Sequence, residues 1–194
     1  MKGGEKAAAD FTNIIQELSL YKHICAYLKQ QNFMDIVKLI SNLPKVELHC
    51  HLDGSVRPET VLEISNKENI LLPSKDILEL EKHLKVQDQC TSLKDYLKKF
   101  DLVLKVMQKP EYLYRITLEL LEDSYKANVK YIEIRFSPQL FINEKMDFHE
   151  AVKSIIAAVD EGKKRFGVIA KLILICMRHH SLETNIAIVE QGKD

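Results

Sequence analysis

"PKVELHCHLDG", residues 44–54, is the stretch on which the reading of the whole chain turns. Successive side chains of a strand point to opposite faces. A strand here sets Val46, Leu48, Cys50 and Leu52 on one face and Glu47, His49, His51 and Asp53 on the other. Alternation of this kind is the pattern of a half-buried strand. Its polar face is unusual, because a solvent-facing strand ordinarily carries Thr, Lys, Ser or Glu. Two His at i and i+2 bring two imidazoles within reach of a single cation, and Gly54 lets the chain turn away sharply after them. A His-x-His pair that closes on Asp-Gly therefore reads as a metal-binding strand end rather than as a plain solvated face.

The sequence has 194 residues, 46% hydrophobic and 29% charged, enough for one substantial core and a small appendage. Lys plus Arg equals Asp plus Glu at 28 each, and neither sign forms a long block. No electrostatic footprint for nucleic acid or anionic lipid results, so the expected partner is a neutral small molecule. The four cysteines, at 25, 50, 90 and 176, form no C-x-x-C pair. That spacing argues against a disulfide framework or a Cys-rich structural zinc site and for a reducing compartment. The N-terminus lacks a continuous apolar core with a small-residue cleavage site, and no run approaches 18 apolar residues. The expectation is a soluble, cytoplasmic protein that does not enter a membrane.

Residues 10–42 carry two helical patterns, Phe11, Ile14, Ile15, Leu18 and Leu20, then Ile36, Val37, Leu39 and Ile40, read as an extension over 1–42 ahead of a domain over 43–194. The opening strand runs over 45–52 and Pro58 starts a helix. Residues 76–127 are a run of helices, among them "SLKDYLKKFDLVL", with Leu93, Tyr96, Leu97 and Phe100 at three-to-four spacing. Pro110 opens another helix and Asn128 closes it. "VKYIEIRFSP" alternates again, with Ile132, Ile134 and Phe136 opposed to Tyr131, Glu133 and Arg135. A helix over 147–165 closes near Gly167, and "VIAKLILICMRHH" follows, nearly all apolar, as a strand covered on both faces. "SLETNIAIVEQG" starts a last helix.

Strand and helix thus alternate three times, which predicts parallel β/α architecture. The strands end in polar clusters, His51-Leu52-Asp53, Arg135-Phe136-Ser137 and Arg178-His179-His180, at the carboxyl ends where such folds place their sites. The polar faces of the first two strands favour a barrel whose mouth binds a metal. Other polar groups read as structural. Arg135 is expected to pair with Glu47 or Glu133, and Cys50 is a packed thiol facing away from the histidines. His179 and His180 are adjacent and should point apart, and His23, His83 and His149 sit on surfaces. By spacing alone the stripe at Leu93, Tyr96, Leu97 and Phe100 is core packing.

These residues together resemble the adenosine deaminase family of the metal-dependent amidohydrolases. "LPKVELHCHLDGS" is similar to the first-strand zinc motif, "SLKDYLKKFD" to the substrate-gate helix, "YIEIRFSPQL" to the second strand and "ICMRHH" to the end of the third. The resemblance covers roughly 42–194, and the helical extension and Lys-rich helices look most like the malaria-parasite members. It implies the N-terminal part, the first three β/α units, of a (β/α)8 TIM-type barrel and zinc-dependent hydrolysis of adenosine or 2'-deoxyadenosine to inosine and ammonia in purine salvage. It implies Zn2+ held by His49 and His51, and Asp53 on a ribose hydroxyl. Leu93, Tyr96, Leu97 and Phe100 would cover a purine nucleoside and Met177 would lie against its base. The family's later His-Ala-Gly-Glu motif, with a third zinc His and a general-acid Glu, does not occur in these 194 residues. The expectation is a truncated chain, inactive alone, of an enzyme monomeric when whole. The alternative is a catalytically silent fragment that binds another chain through open sheet edges.

Overall fold

The computed structural model describes residues 33–85 and 93–193. The chain divides into two units, Met1–Leu43 and Pro44–Asp194. In the first, helix α1 (Phe33–Asn42) contains the apolar positions from Ile36 to Ile40, and the N–H of Leu43 closes it by donating to the carbonyl of Leu39. The pattern from Phe11 to Leu20, with His23 and Cys25, lies outside the described residues, as does Cys90.

The second unit runs β1 (Lys45–His51), α2 (Pro58–Glu68), α3 (Ile77–Leu84), α4 (Leu93–Val106), α5 (Pro110–Lys126), β2 (Val129–Phe136), a short 3-10 turn (Pro138–Leu140), α6 (Phe148–Phe166), β3 (Ile169–Leu174) and α7 (Leu182–Gln191). The strands form one parallel sheet in the order β1-β2-β3, so their carboxyl ends share one edge. Local chemistry sets the helix limits. Pro58 and Pro110 occupy first helical positions, where a missing N–H costs nothing. Asn128 takes the left-handed conformation after α5, at φ 61°. A reciprocal capping box between Asp147 and Glu150 opens α6, and Gly167, at φ 71°, ends it.

The core lies between the sheet and the helices. On β2, Ile132, Ile134 and Phe136 are buried with Leu113, Ile116 and Leu121 of α5 and Ala151 and Ile155 of α6. Tyr131, Glu133 and Arg135 face the other way and are half-buried, the two-sided pattern that their alternation predicts.

The other two strands depart from expectation. In β1, Val46 lies opposite Tyr131 and Glu47 opposite Ile132, but Cys50 lies opposite Ile134 and His51 opposite Arg135. An extra residue is therefore absorbed between Glu47 and Cys50, and alternation does not run unbroken along the strand. By register, Glu47 leaves the face of His51, and Val46 and Leu48 stay 47% and 57% exposed because β1 is an edge strand. β3, expected to be covered on both faces, has a partner on one edge only. Ile169 is 39% exposed and no residue of the strand is fully buried. The strand also ends at Leu174, so Cys176 to His180 form a turn instead of continuing it. Among the described residues no helix is long and apolar enough to cross a membrane.

Candidate active site

β1 and the turn after it, residues 52–57, deliver the histidines to the carboxyl edge of the sheet. His49 and His51 stand side by side, ring centroids 5.3 Å apart and tilted by 33°. The chain then turns back over the end of β2. The N–H of Leu52, a fully buried residue, donates to the carbonyl of Arg135 at 3.0 Å. Ser55 closes the turn twice, its N–H reaching the carbonyl of Leu52 at 3.2 Å and its Oγ donating to the carbonyl of His51 at 2.7 Å. Cys50 packs beneath, Sγ 3.3 Å from Ser55 Oγ, and burial pushes its thiol pKa up. Gly54 does not have a positive φ, and a Cβ there would meet its neighbours at ordinary distances of 3.5 Å and more. The turn therefore does not need glycine's freedom, contrary to the expectation from sequence.

Asp53 follows the pair, its Oδ1 3.7 Å from His51 Nδ1, too long for a hydrogen bond. That oxygen is buried and has no hydrogen-bond partner among the described residues. Burial pushes the Asp53 carboxyl above its usual range, against the pull of His51 and of the backbone N–H groups of Asp53 and Gly54. Burial likewise lowers the pKa of His51; Asp53 opposes this, while His49 and Arg135 reinforce it. An imidazole kept neutral is the form that ligates a metal. Asp53 and Gly54 also line a cavity of ≈ 260 Å³ together with Val56, Pro58, Leu84, Phe100 and Val103 and the two cationic residues Lys85 and Lys99.

The structure thus brings Asp53 together with Phe100 of α4, whose ring carbon Cε1 would lie 3.7 Å from a Cβ on Gly54. Leu97 is 52% exposed and does not line that cavity, and the side chains of Leu93 and Tyr96 lie outside the described residues. Met177 sits half-buried in the turn after β3, its carbonyl accepting from the N–H of His180 at 3.1 Å and Asn185 Nδ2 at 3.0 Å.

Two side-chain expectations are corrected. Arg135 forms no ion pair with Glu47 or Glu133. Tyr131 Oη donates to Glu133 at 2.9 Å, Glu47 accepts from the N–H of His49 at 2.9 Å, and Arg135 Nε is buried without a partner among the described residues. His179 and His180 do not point apart, because they occupy a turn rather than a strand, and their rings meet edge-to-face at 4.5 Å. Sequence reading also passes over Arg57, Lys85 and Lys99. The only local signal for Arg57 is its place between the Asp-Gly turn and Pro58.

Zinc sites are tetrahedral, with His nitrogens about 2.0–2.1 Å from the ion. The His49 and His51 rings, centroids 5.3 Å apart, are near enough for each to offer one nitrogen to a single ion. Among the described residues no group of three or more His, Cys, Asp or Glu completes a cluster.

A parallel β/α sheet with a His-x-His pair and a carboxylate at its carboxyl edge belongs to the class of α/β folds that carry their functional sites at that edge. Comparison with known proteins narrows the class. Residues 44–193 match the family model described as adenosine deaminase, and the chain belongs to that family. Adenosine deaminase of Clostridium kluyveri is 44% identical over 160 residues, 82% of this chain and 46% of that protein. Among solved structures, an adenine deaminase from Arthrobacter aurescens superposes with a TM-score of 0.67 at 26% identity, covering 76% of this chain and 44% of that one. Arabidopsis ADAL complexed with GMP gives 0.62 at 26% identity, over 81% of this chain and 48% of that one. The chain spans about half the length of the relatives that it matches.

Proposed function

We propose that residues 44–193 supply the first metal ligands and the ribose contact of a zinc-dependent adenosine deaminase acting on a purine nucleoside in the cytoplasm. The observation that carries this reading is a coincidence at one sheet edge. Two adjacent imidazoles stand beside a carboxylate oxygen that is buried, unpartnered and next to a cavity. His49 and His51 would each give one nitrogen to the ion. Zinc bound there supplies a hydroxide nucleophile at neutral pH by acidifying water. Asp53 accepts a ribose hydroxyl, which satisfies an oxygen whose desolvation is otherwise uncompensated. Its negative charge disfavours a phosphate at the same place, so a nucleoside is preferred to a nucleotide. Phe100 would lie over the sugar end, and the family resemblance assigns Leu93, Tyr96 and Leu97 to the same cover and Met177 to the base.

No His-Ala-Gly-Glu occurs in these 194 residues, so no Glu of that motif protonates the ring nitrogen while water adds. General acid catalysis of this kind is worth about 10² to 10⁴ in rate, and a catalytic zinc normally has at least three protein ligands. The chain alone therefore binds adenosine without turning it over above background. The test follows ammonia release with zinc in excess alongside adenosine-dependent NMR shifts. Shifts at Asp53 and Phe100 that vanish on Asp53→Ala, with background ammonia, are expected. Absence of any adenosine-dependent shift overturns the binding role, and robust turnover overturns the division of labour.

A second reading is a silent chain that associates through its sheet edges. The exposed Val46 and Leu48 on β1 favour it, and a concentration-dependent mass in solution would support it.

A further inference from the structure

We infer that Arg57 is a positioning residue that fixes the Asp53–Gly54 turn against the histidine pair by locking the far end of that turn to α5. The inference rests on the reading of Asp53 as the ribose contact.

The turn is held at its near end by Leu52 on Arg135 and by Ser55 on His51 and Leu52. At its far end the backbone is tied to α2, the Arg57 carbonyl accepting from the N–H of Val61 at 3.0 Å, and the tie to α5 is made by the Arg57 side chain. The first residue past Val56 is Arg57, in extended conformation at φ −65°, ψ 138°, immediately before α2. Its side chain crosses to the C-terminal turns of α5. Nε donates to Asp123 Oδ2 at 2.8 Å and Nη2 to Asp123 Oδ1 at 2.6 Å, a two-point fork, while Nη2 also reaches Glu122 Oε2 at 2.6 Å and the Glu119 carbonyl at 3.2 Å. Two carboxylates and a helix carbonyl thus converge on one guanidinium, whose planar geometry a lysine cannot reproduce.

The anchor point is rigid, because α5 buries Leu113, Ile116, Leu120 and Leu121 in the core. The helix that follows Arg57 does not depend on it for attachment. Thr60 Oγ1 donates to Glu119 at 2.6 Å, Arg115 pairs with Glu63 at 2.7 Å, and Val61 and Ile64 are buried. Loss of Arg57 should therefore release the turn and leave α2 in place. The cost in global stability is small, since partly exposed ion pairs contribute little. The cost to a site that needs Asp53 held in one geometry is larger, because binding would then have to order the turn.

The test compares the 194-residue wild type with Arg57→Gln, Arg57→Lys and Arg115→Gln. The last cuts the same α2–α5 network away from the turn. Amide exchange at Leu52 and Ser55, referenced to α6, reports the turn, and titration with adenosine reports the site. Arg57→Gln is expected to speed exchange at both amides about tenfold with α6 unchanged, and to weaken adenosine binding about threefold or more. Arg57→Lys, which keeps the charge without the fork, falls between. Arg115→Gln stays within about twofold of wild type on both readouts. Exchange at Leu52 and Ser55 that is unchanged in Arg57→Gln, or raised equally by Arg115→Gln, overturns the inference. Should Arg57→Gln not fold, Asp123→Asn, which removes the fork acceptor, is judged by the same criteria. A wild type that binds no adenosine overturns the reading of Asp53, while the exchange comparison still decides whether Arg57 holds the turn.

Discussion

His51 and Arg135 stand opposite each other as the last parallel pair of β1 and β2. The pairing sets a guanidinium beside the histidine pair, and its Nε is buried with no hydrogen-bond partner among the described residues. A buried N–H without a partner is a desolvation cost, and replacing the side chain with an apolar one of similar length removes that cost. Arg135→Met is therefore expected to leave the stability of this chain within about 1 kcal/mol of wild type or to raise it. Urea denaturation checks this. A loss of more than about 3 kcal/mol would mean that Arg135 is paired after all, since that is the scale of breaking a buried ion pair.

Gly162 of α6 is where that helix meets α5. A Cβ at this position would sit 2.3 Å from Leu121 Cδ1 and 3.0 Å from Leu121 Cβ, and Leu121 is itself fully buried. Overpacking of this kind costs roughly 1–3 kcal/mol. Gly162→Ala should lower the denaturation midpoint accordingly. Part of the loss should return in Gly162→Ala with Leu121→Val, because contacting residues do not add independently. A neutral Gly162→Ala would show that the Leu121 side chain gives way at no cost.

The parts of the fold that were legible in the sequence are those governed by short-range rules. β2 alternates faithfully because a helical layer covers one of its faces and both its edges are paired, so Ile132, Ile134 and Phe136 could only go inward. Pro58, Pro110, Asn128 and Gly167 marked helix limits because each acts on its own backbone. The edge strands were less legible. β1 absorbs an extra residue that its pattern does not announce, and β3 looks like a doubly covered strand although its neighbours leave it half-open. The meeting of Asp53 with Phe100 joins residues far apart in sequence, and the attachment of Arg57 to Asp123 spans 66 positions. Neither pairing has a local signature, since both depend on where α4 and α5 dock.

The contact of α2 with the start of α5 carries a pH dependence. Glu68 accepts from Lys109 Nζ at 2.7 Å and from the hydroxyl of Tyr112, and these hydrogen bonds hold its carboxyl below the usual range. Burial, followed by the Glu68 contact, pushes the Tyr112 hydroxyl up to about 12 from 10.0. Tyr112 is only 5% exposed. A raised pKa means that the folded state keeps a proton that the unfolded state has released, so this stability is fully present below pH 10.0 and is lost as pH rises toward about 12. Glu68 has the opposite sign, its contribution being present above its unfolded pKa and lost as pH falls through its lower folded value. Thermal melts between pH 9 and 12, about the range of a tyrosine titration, should show a fall in stability that Tyr112→Phe flattens. An equally steep fall in the variant would place the alkaline transition elsewhere.

Zinc uptake is the most direct test of the histidine pair. His49 and His51 present imidazoles 5.3 Å apart on the end of a strand whose next residue, Leu52, is fully buried. The pair is thus set on an ordered element before any ion arrives. Two nitrogens leave the remaining positions of a tetrahedral ion to water, so binding should be measurable and weaker than at a complete catalytic site. His49→Ala or His51→Ala removes half of the protein donors, and each should weaken uptake by at least about tenfold, the scale seen even for loss of a supporting residue. His180→Ala supplies the control. Its ring belongs to a second pair, with His179 at 4.5 Å in the turn after β3, which the reading leaves out of the metal site. Chelation should not unfold the chain, since the core cluster from Leu52 to Val168 is built of apolar residues and includes neither histidine. Added zinc raises stability only by mass action, by about 2.7 kcal/mol at a hundredfold excess over Kd. Equilibrium dialysis with metal analysis reads the affinities and calorimetry reads the melt. Uptake that survives in the double variant His49→Ala, His51→Ala and disappears in His180→Ala would move the metal to the third strand end and remove the basis for the deaminase reading of β1.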